Sequence, residues 1–136
     1  MLRYMLDTNL CIHVMRNPDS PVRDRFKAHT GELCISMITL HELIHGADKS
    51  QRPEFQRELT MDLVSRLEVL NFDAEAANHS GNIHATLAKA GAIIGAYDML
   101  IAGHARSLGL TIVTNNSREF SRVDGLRCED WLAPSA

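Results

Sequence analysis

The chain has 136 residues, a size for one domain with a single core and no need of disulfide or metal staples. Its apolar share of 45%, charged share of 23% and net charge of −3 are those of an ordinary globular protein. They give no sign of a protein that holds nucleic acid by bulk positive charge, although a nuclease whose acidic metal site masks its basic residues would look the same. No apolar stretch approaches membrane-spanning length, and Asp7 interrupts the short apolar run at the N-terminus before it could act as a signal peptide. Cys11, Cys34 and Cys128 are odd in number, widely spaced and without metal-ligand spacing, as in a reducing compartment. The expected location is the cytoplasm, with no membrane partner.

In chain order, Leu2 to Leu6 is a short apolar run that ends in Asp7, Thr8 and Asn9. Leu10, Ile12, Val14 and Met15 then fall at helical spacing. This predicts a buried strand that delivers a carboxylate to the start of a helix. Asp7 is either the N-cap of that helix or an acid at the carboxyl edge of a sheet, where open α/β folds bind ligands. Asn17 to Pro21 is a turn that starts a helix carrying Val22 and Phe26 and ending at Gly31. Leu33-Cys34-Ile35 is a second buried strand, and after Ser36 a helix sets Met37, Leu40, Leu43, Ile44 and Ala47 on one face.

Pro53 opens a helix through Leu67, Glu68 to Phe72 reads as a third strand, and Asp73 to Lys89 is a long Ala-rich helix. The Gly91–Gly95 loop leads to Tyr97-Asp98 and a strongly apolar helix that stops at Gly109. Thr111 to Thr114 is a fourth strand that enters the turn Asn115-Asn116-Ser117, and a weak last strand lies near Leu126-Arg127-Cys128. Strands alternating with helices predict an α/β fold, a single domain over residues 1–132 with a short C-terminal tail at 133–136. Its central sheet is mainly parallel, of four or five short strands covered by helices on both faces.

In that topology Asp7, Glu42, Asp98, Asn116 and Glu119 all fall at the carboxyl edge of the sheet, because crossover helices begin where strands end. Each has a plain structural alternative. Thr39-x-x-Glu42 fits a capping box, and Asp98 fits an N-terminal cap favoured by the helix dipole. Clustered carboxylates nevertheless repel unless a cation neutralises them, and oxygen-only ligands favour Mg²⁺ or Mn²⁺. Such a site suits metal-assisted phosphodiester hydrolysis.

Four segments in order, Met5–Asn9, Ile38–Leu43, Tyr97–Ala105 and Val113–Phe120, resemble those of PIN domains, and more narrowly of the VapC toxins of VapBC toxin–antitoxin pairs. The likeness covers essentially the whole chain. It implies a Mg²⁺- or Mn²⁺-dependent endoribonuclease that blocks translation by cutting structured RNA, often tRNA, to leave a 3′-hydroxyl and a 5′-phosphate. It also implies a homodimer and a VapB-type antitoxin that inserts a peptide into the site, with operator DNA contacted only through the antitoxin. By that resemblance Asp7 and Asp98 match the principal metal ligands, and Glu42 matches the second family acid, a ligand or a positioner of water. Asn116 stands where many relatives carry Asp, with Glu119 the nearest carboxylate able to substitute. Thr8, Asn9 and Ser36 match supporting positions, and Arg16, Arg23, Arg25, Lys27, Lys49 and Arg118 are candidates to track RNA.

Two other readings stand beside this one. His41-Glu42-Leu43-Ile44-His45 is a literal H-E-x-x-H, as in zinc peptidases, but Gly46 follows within the helix and no third ligand stands at a recognised spacing. A non-catalytic PIN-fold binding module is the other, which the Asn116 departure keeps open. His79, His84 and His104 read as packing or surface residues, and Tyr97 either stacks on a base or is buried against its helix.

Overall fold

The computed structural model describes residues 1–132; the tail at 133–136 lies outside the described residues. Strands β1 (Tyr4–Leu6), β2 (Leu33–Ser36), β3 (Glu68–Leu70), β4 (Thr111–Val113) and β5 (Cys128–Glu129) form one sheet in the order β3-β2-β1-β4-β5. Every pairing is parallel. The connecting helices are α1 (Thr8–Arg16), α2 (Val22–Ala28), α3 (Met37–Asp48), α4 (Pro53–Val64), α5 (Ala74–Lys89), α6 (Ala96–Leu108) and α7 (Ser117–Phe120).

The unbroken apolar strands are explained by burial on both faces. Tyr4, Leu6, Leu33, Ile35 and Val113 point into one core with Leu10 and Val14 of α1, Leu43 of α3 and Leu63 of α4. The intervening Met5, Cys34 and Ile112 point into a second core with Ile83 and Leu87 of α5, Ile101 and Ala105 of α6, and Phe120. Strand β1 sits in the middle, in register with β4 through Leu6↔Val113. The residues just beyond this pair, Asp7 and Thr114, are therefore neighbours at the carboxyl edge.

The sequence predicts a mainly parallel sheet of four or five strands; the sheet has five and is parallel throughout, and several boundaries differ. The helix after Pro18 begins only at Val22, because Ser20 and Pro21 form the turn before it. The third strand stops at Leu70, two residues early, because Asp73 caps α5 by accepting the Ala76 N–H at 2.9 Å and the chain must leave the sheet to do so. Phe72 instead meets the His104 ring edge-on at 5.4 Å.

Helices α5 and α6 cross so closely at Gly103 that a Cβ there would lie 2.5 Å from the Ser80 backbone nitrogen. Gly103→Ala is expected to cost about 1–3 kcal/mol or more by forcing the two helices apart. Gly46→Ala in α3, where nothing lies within 4 Å, is expected to be neutral or to stabilise the chain. Thermal melts of the two variants test this; equal melting temperatures would mean that the crossing yields without strain.

Candidate active site

Asp7 leaves β1 with its N–H still donating to the Val113 carbonyl at 3.0 Å, and its carboxylate turns back onto the start of α1. One oxygen accepts the Leu10 N–H at 2.8 Å, so Asp7 is indeed the helix cap. The other accepts the Thr114 hydroxyl at 2.6 Å, and that hydroxyl in turn accepts the Asn116 N–H at 2.8 Å. The acid is 1% exposed, so cap and buried edge carboxylate are the same group. Thr114 passes unnoticed in the sequence as an ordinary strand residue, although the Leu6↔Val113 register would have placed it.

Glu42 is not part of a capping box. Ser36 caps α3 by accepting the Ile38 N–H at 3.1 Å, which puts Thr39 and Glu42 inside the helix. Glu42 accepts the Thr8 hydroxyl at 2.6 Å, and the buried Thr39 hydroxyl lies 3.3 Å from that of Thr8. Nor is Asp98 a cap. Gly95 holds that position without a side-chain bond, and Asp98 is the third helical residue, still in the favourable first turn of α6. The Glu119 carboxyl on α7 stands beside it and raises the Asp98 carboxyl. Asn116 caps α7 through no side-chain bond. Of the two positions proposed for a fourth acid, Glu119 is the one in contact with Asp98.

The electrostatics tie these groups together. Burial above all pushes the Asp7 carboxyl up to about 6, against the Thr114 and Leu10 hydrogen bonds, and the charges of Glu42 and Asp130 add to the rise. Burial, then the Glu119 bond and charge, then Asp7 and Glu42, push Asp98 up to about 7. Asp130, just past β5, is a participant that the weak last strand concealed in the sequence. Among the described residues no three His, Cys, Asp or Glu side chains close into a ready ion cage. The chemistry of the set nevertheless fits a hard divalent cation. Its donors are carboxylate oxygens, and two of them keep their protons towards neutral pH for want of a countercharge.

Beside the acids runs a groove of about 510 Å³ between α1, α3 and α4, bordered by Thr8, Asn9, Arg16, Glu42, Lys49 and Tyr97. Of the basic candidates, Arg16 and Lys49 face it. Arg118 and Lys27 are exposed elsewhere. Arg23 is engaged with the Val14 carbonyl, and Arg25 lies over the Trp131 ring at 5.5 Å, so both serve the fold. Tyr97 is 47% exposed, which removes the burial alternative. Ser36 and His104 make a buried pair at 2.8 Å, His79 accepts a hydrogen bond from Arg106, and His84 is exposed. These three histidines have the packing and surface roles that the sequence predicts.

The sequence matches the PIN domain family over residues 4–126. It is 56% identical over 131 residues to the tRNA(fMet)-specific endonuclease VapC of Shigella flexneri, covering 96% of this chain and 99% of that protein. The chain belongs to the VapC branch of the PIN domain family. A further relative is Ribonuclease VapC2 of Haemophilus influenzae, 47% identical over 97% of this chain and 100% of its own. The fold matches a chain of the DNA-bound VapBC complex from Salmonella typhimurium with a TM-score of 0.94 and 53% identity, over 96% of this chain and 99% of that one. The chain is thus a nuclease of the VapC toxin type, from a family that uses divalent metal ions. That membership sets aside the zinc-peptidase reading. No helix among the described residues is long and apolar enough to cross a membrane.

The raised Asp7 and Asp98 values have a consequence for stability. The folded chain binds these protons more tightly than the unfolded one, so their contribution is full below about pH 4 and is lost as pH rises through about 6 and about 7. Metal-free Asp98→Asn VapC is expected to be more stable than the unsubstituted protein by about 1–2 kcal/mol near pH 8, after allowance for partial exposure. The advantage should shrink towards about pH 5. Melting curves across that range decide it; a difference independent of pH would remove the carboxyl coupling.

Proposed function

We propose that this chain cuts tRNA, initiator tRNA first among candidates, by Mg²⁺- or Mn²⁺-dependent phosphodiester hydrolysis. Asp7 and Asp98 are the principal ligands and Glu42 and Glu119 complete the acidic set. The observation that supports this reading is the convergence of acids from four separate elements at one sheet edge, where Glu42 raises Asp7, and Glu119, Asp7 and Glu42 raise Asp98. The substrate follows the relative named for tRNA(fMet), at 56% identity. The ion, when bound, supplies charge stabilisation to the phosphate oxygens and orients a water for in-line attack.

The chain's own groups divide the remaining work. Leu10 N–H and the Thr114 hydroxyl fix both Asp7 oxygens, so that this carboxylate meets an ion in one orientation. Thr8 holds Glu42 at 2.6 Å and leaves its second oxygen for an ion or a water. An ion held by Asp98 would displace the proton that burial and the neighbouring acids keep there, so binding would release protons near neutral pH. Arg16 and Lys49 in the groove neutralise RNA phosphates. We further propose that the protein is a homodimer in the cytoplasm and pairs with a VapB-type antitoxin, through which alone it reaches operator DNA.

Purified protein incubated with total tRNA and Mg²⁺ or Mn²⁺ should give discrete fragments that vanish with EDTA. Asp7→Ala and Asp98→Ala should lower the rate about a thousandfold or more while staying folded, and should relieve growth inhibition. Uncut tRNA under both metals, or a folded Asp7→Ala protein that still cuts, sinks the proposal. Glu119→Gln should cost about a hundredfold and Asn116→Ala less than about tenfold; the reverse order would move the fourth acidic position to the strand-four turn.

A further inference from the structure

The nuclease reading leaves two strong ligands unused on α3. His41 and His45 are both exposed and lie one helical turn apart on the same face, with rings 17° from parallel and centroids 6.5 Å apart. They border the same groove as Thr8, Glu42 and Tyr97. His41 Nε2 makes one long contact, 3.4 Å to the Tyr97 hydroxyl. Among the described residues the His45 ring nitrogens make no hydrogen bond. Asp48, whose carboxyl feels the His45 ring, is occupied by Arg57 at 2.7 and 2.8 Å.

Imidazole pairs at this spacing on a helix hold borderline divalent ions, about 2.0–2.1 Å from each nitrogen, and have little affinity for Mg²⁺. The carboxylate edge has the opposite preference. One groove therefore carries a hard site and a softer one side by side. We propose that His41 and His45 form a second metal site, taking Zn²⁺ or a similar late divalent ion, and that its occupant obstructs RNA at the groove. The obstruction half rests on the nuclease reading; the site itself does not. Ring rotation turns both Nε2 atoms towards one ion, water fills the remaining positions, and His41 gives up its contact with Tyr97.

The test is competition for Zn²⁺ between the tag-free protein and a chromophoric chelator, in excess Mg²⁺. The unsubstituted chain, His41→Gln, His45→Gln, Tyr97→Phe and Asp98→Asn are compared. Binding of one ion per chain is expected, weakened at least about tenfold in each histidine variant. It should be unchanged in Asp98→Asn and equal or tighter in Tyr97→Phe. Equal affinity in the histidine variants, or loss in Asp98→Asn alone, places the ion on the carboxylates and overturns the site. In the second arm, the ratio of cleavage with Zn²⁺ to cleavage without it is measured within each protein. It should fall at least about tenfold for the unsubstituted chain and stay flat in His41→Gln/His45→Gln. Equal sensitivity overturns the obstruction. Absence of cleavage under every metal counts against the nuclease reading and leaves the chelator titration to decide the site.

Discussion

The arrangement depends on burying one charge. Asp7 must leave the central strand of a sheet covered on both faces, so its carboxylate has almost no access to water. A lone buried carboxylate is costly unless hydrogen-bonded, and here a helix N-terminus and a strand-end threonine meet that need with one bond to each oxygen. Those bonds do not fully offset the burial, since the group still holds its proton to about pH 6. The incomplete compensation is the functional point: it leaves an acid that a cation can satisfy better than the protein does.

The same logic extends outward. Glu42 borrows the Thr8 hydroxyl, and Asp98 is raised by Glu119 beside it. Each acid has just enough support to be held in place and too little to be neutralised. Small hydroxyl side chains suit this work because they donate one short hydrogen bond without bringing a charge that would compete with an incoming ion.

Much of this was legible in the sequence because parallel α/β topology converts chain order into position. Short apolar runs gave the strands, and an acid at a strand end or early in a crossover helix must lie at the carboxyl edge. Asp7, Glu42, Asp98 and Glu119 were found on that ground. Reading a residue as either cap or site was the weak step. Asp7 is both, while the capping box at Thr39 and Glu42 does not exist because Ser36, one strand residue earlier, takes the cap. Thr114 and Asp130 were missed for a different reason. Their roles come from strand register and from a two-residue edge strand, neither of which has a periodic signal in the sequence. The distinction between Asn116 and Glu119 likewise depends on which side chain the α7 turn swings towards Asp98.

The bond between Thr114 and Asp7 spans 107 positions. Asp7 is made 107 residues before Thr114. A nascent chain whose synthesis has reached only α6 has Asp7 without the hydroxyl that orients it and Asp98 without its Glu119 neighbour. Domains fold as they emerge, from the N-terminus onward, yet this edge is completed only when β4 docks beside β1. The acidic edge therefore lacks its full set of carboxylates until α7 has been made.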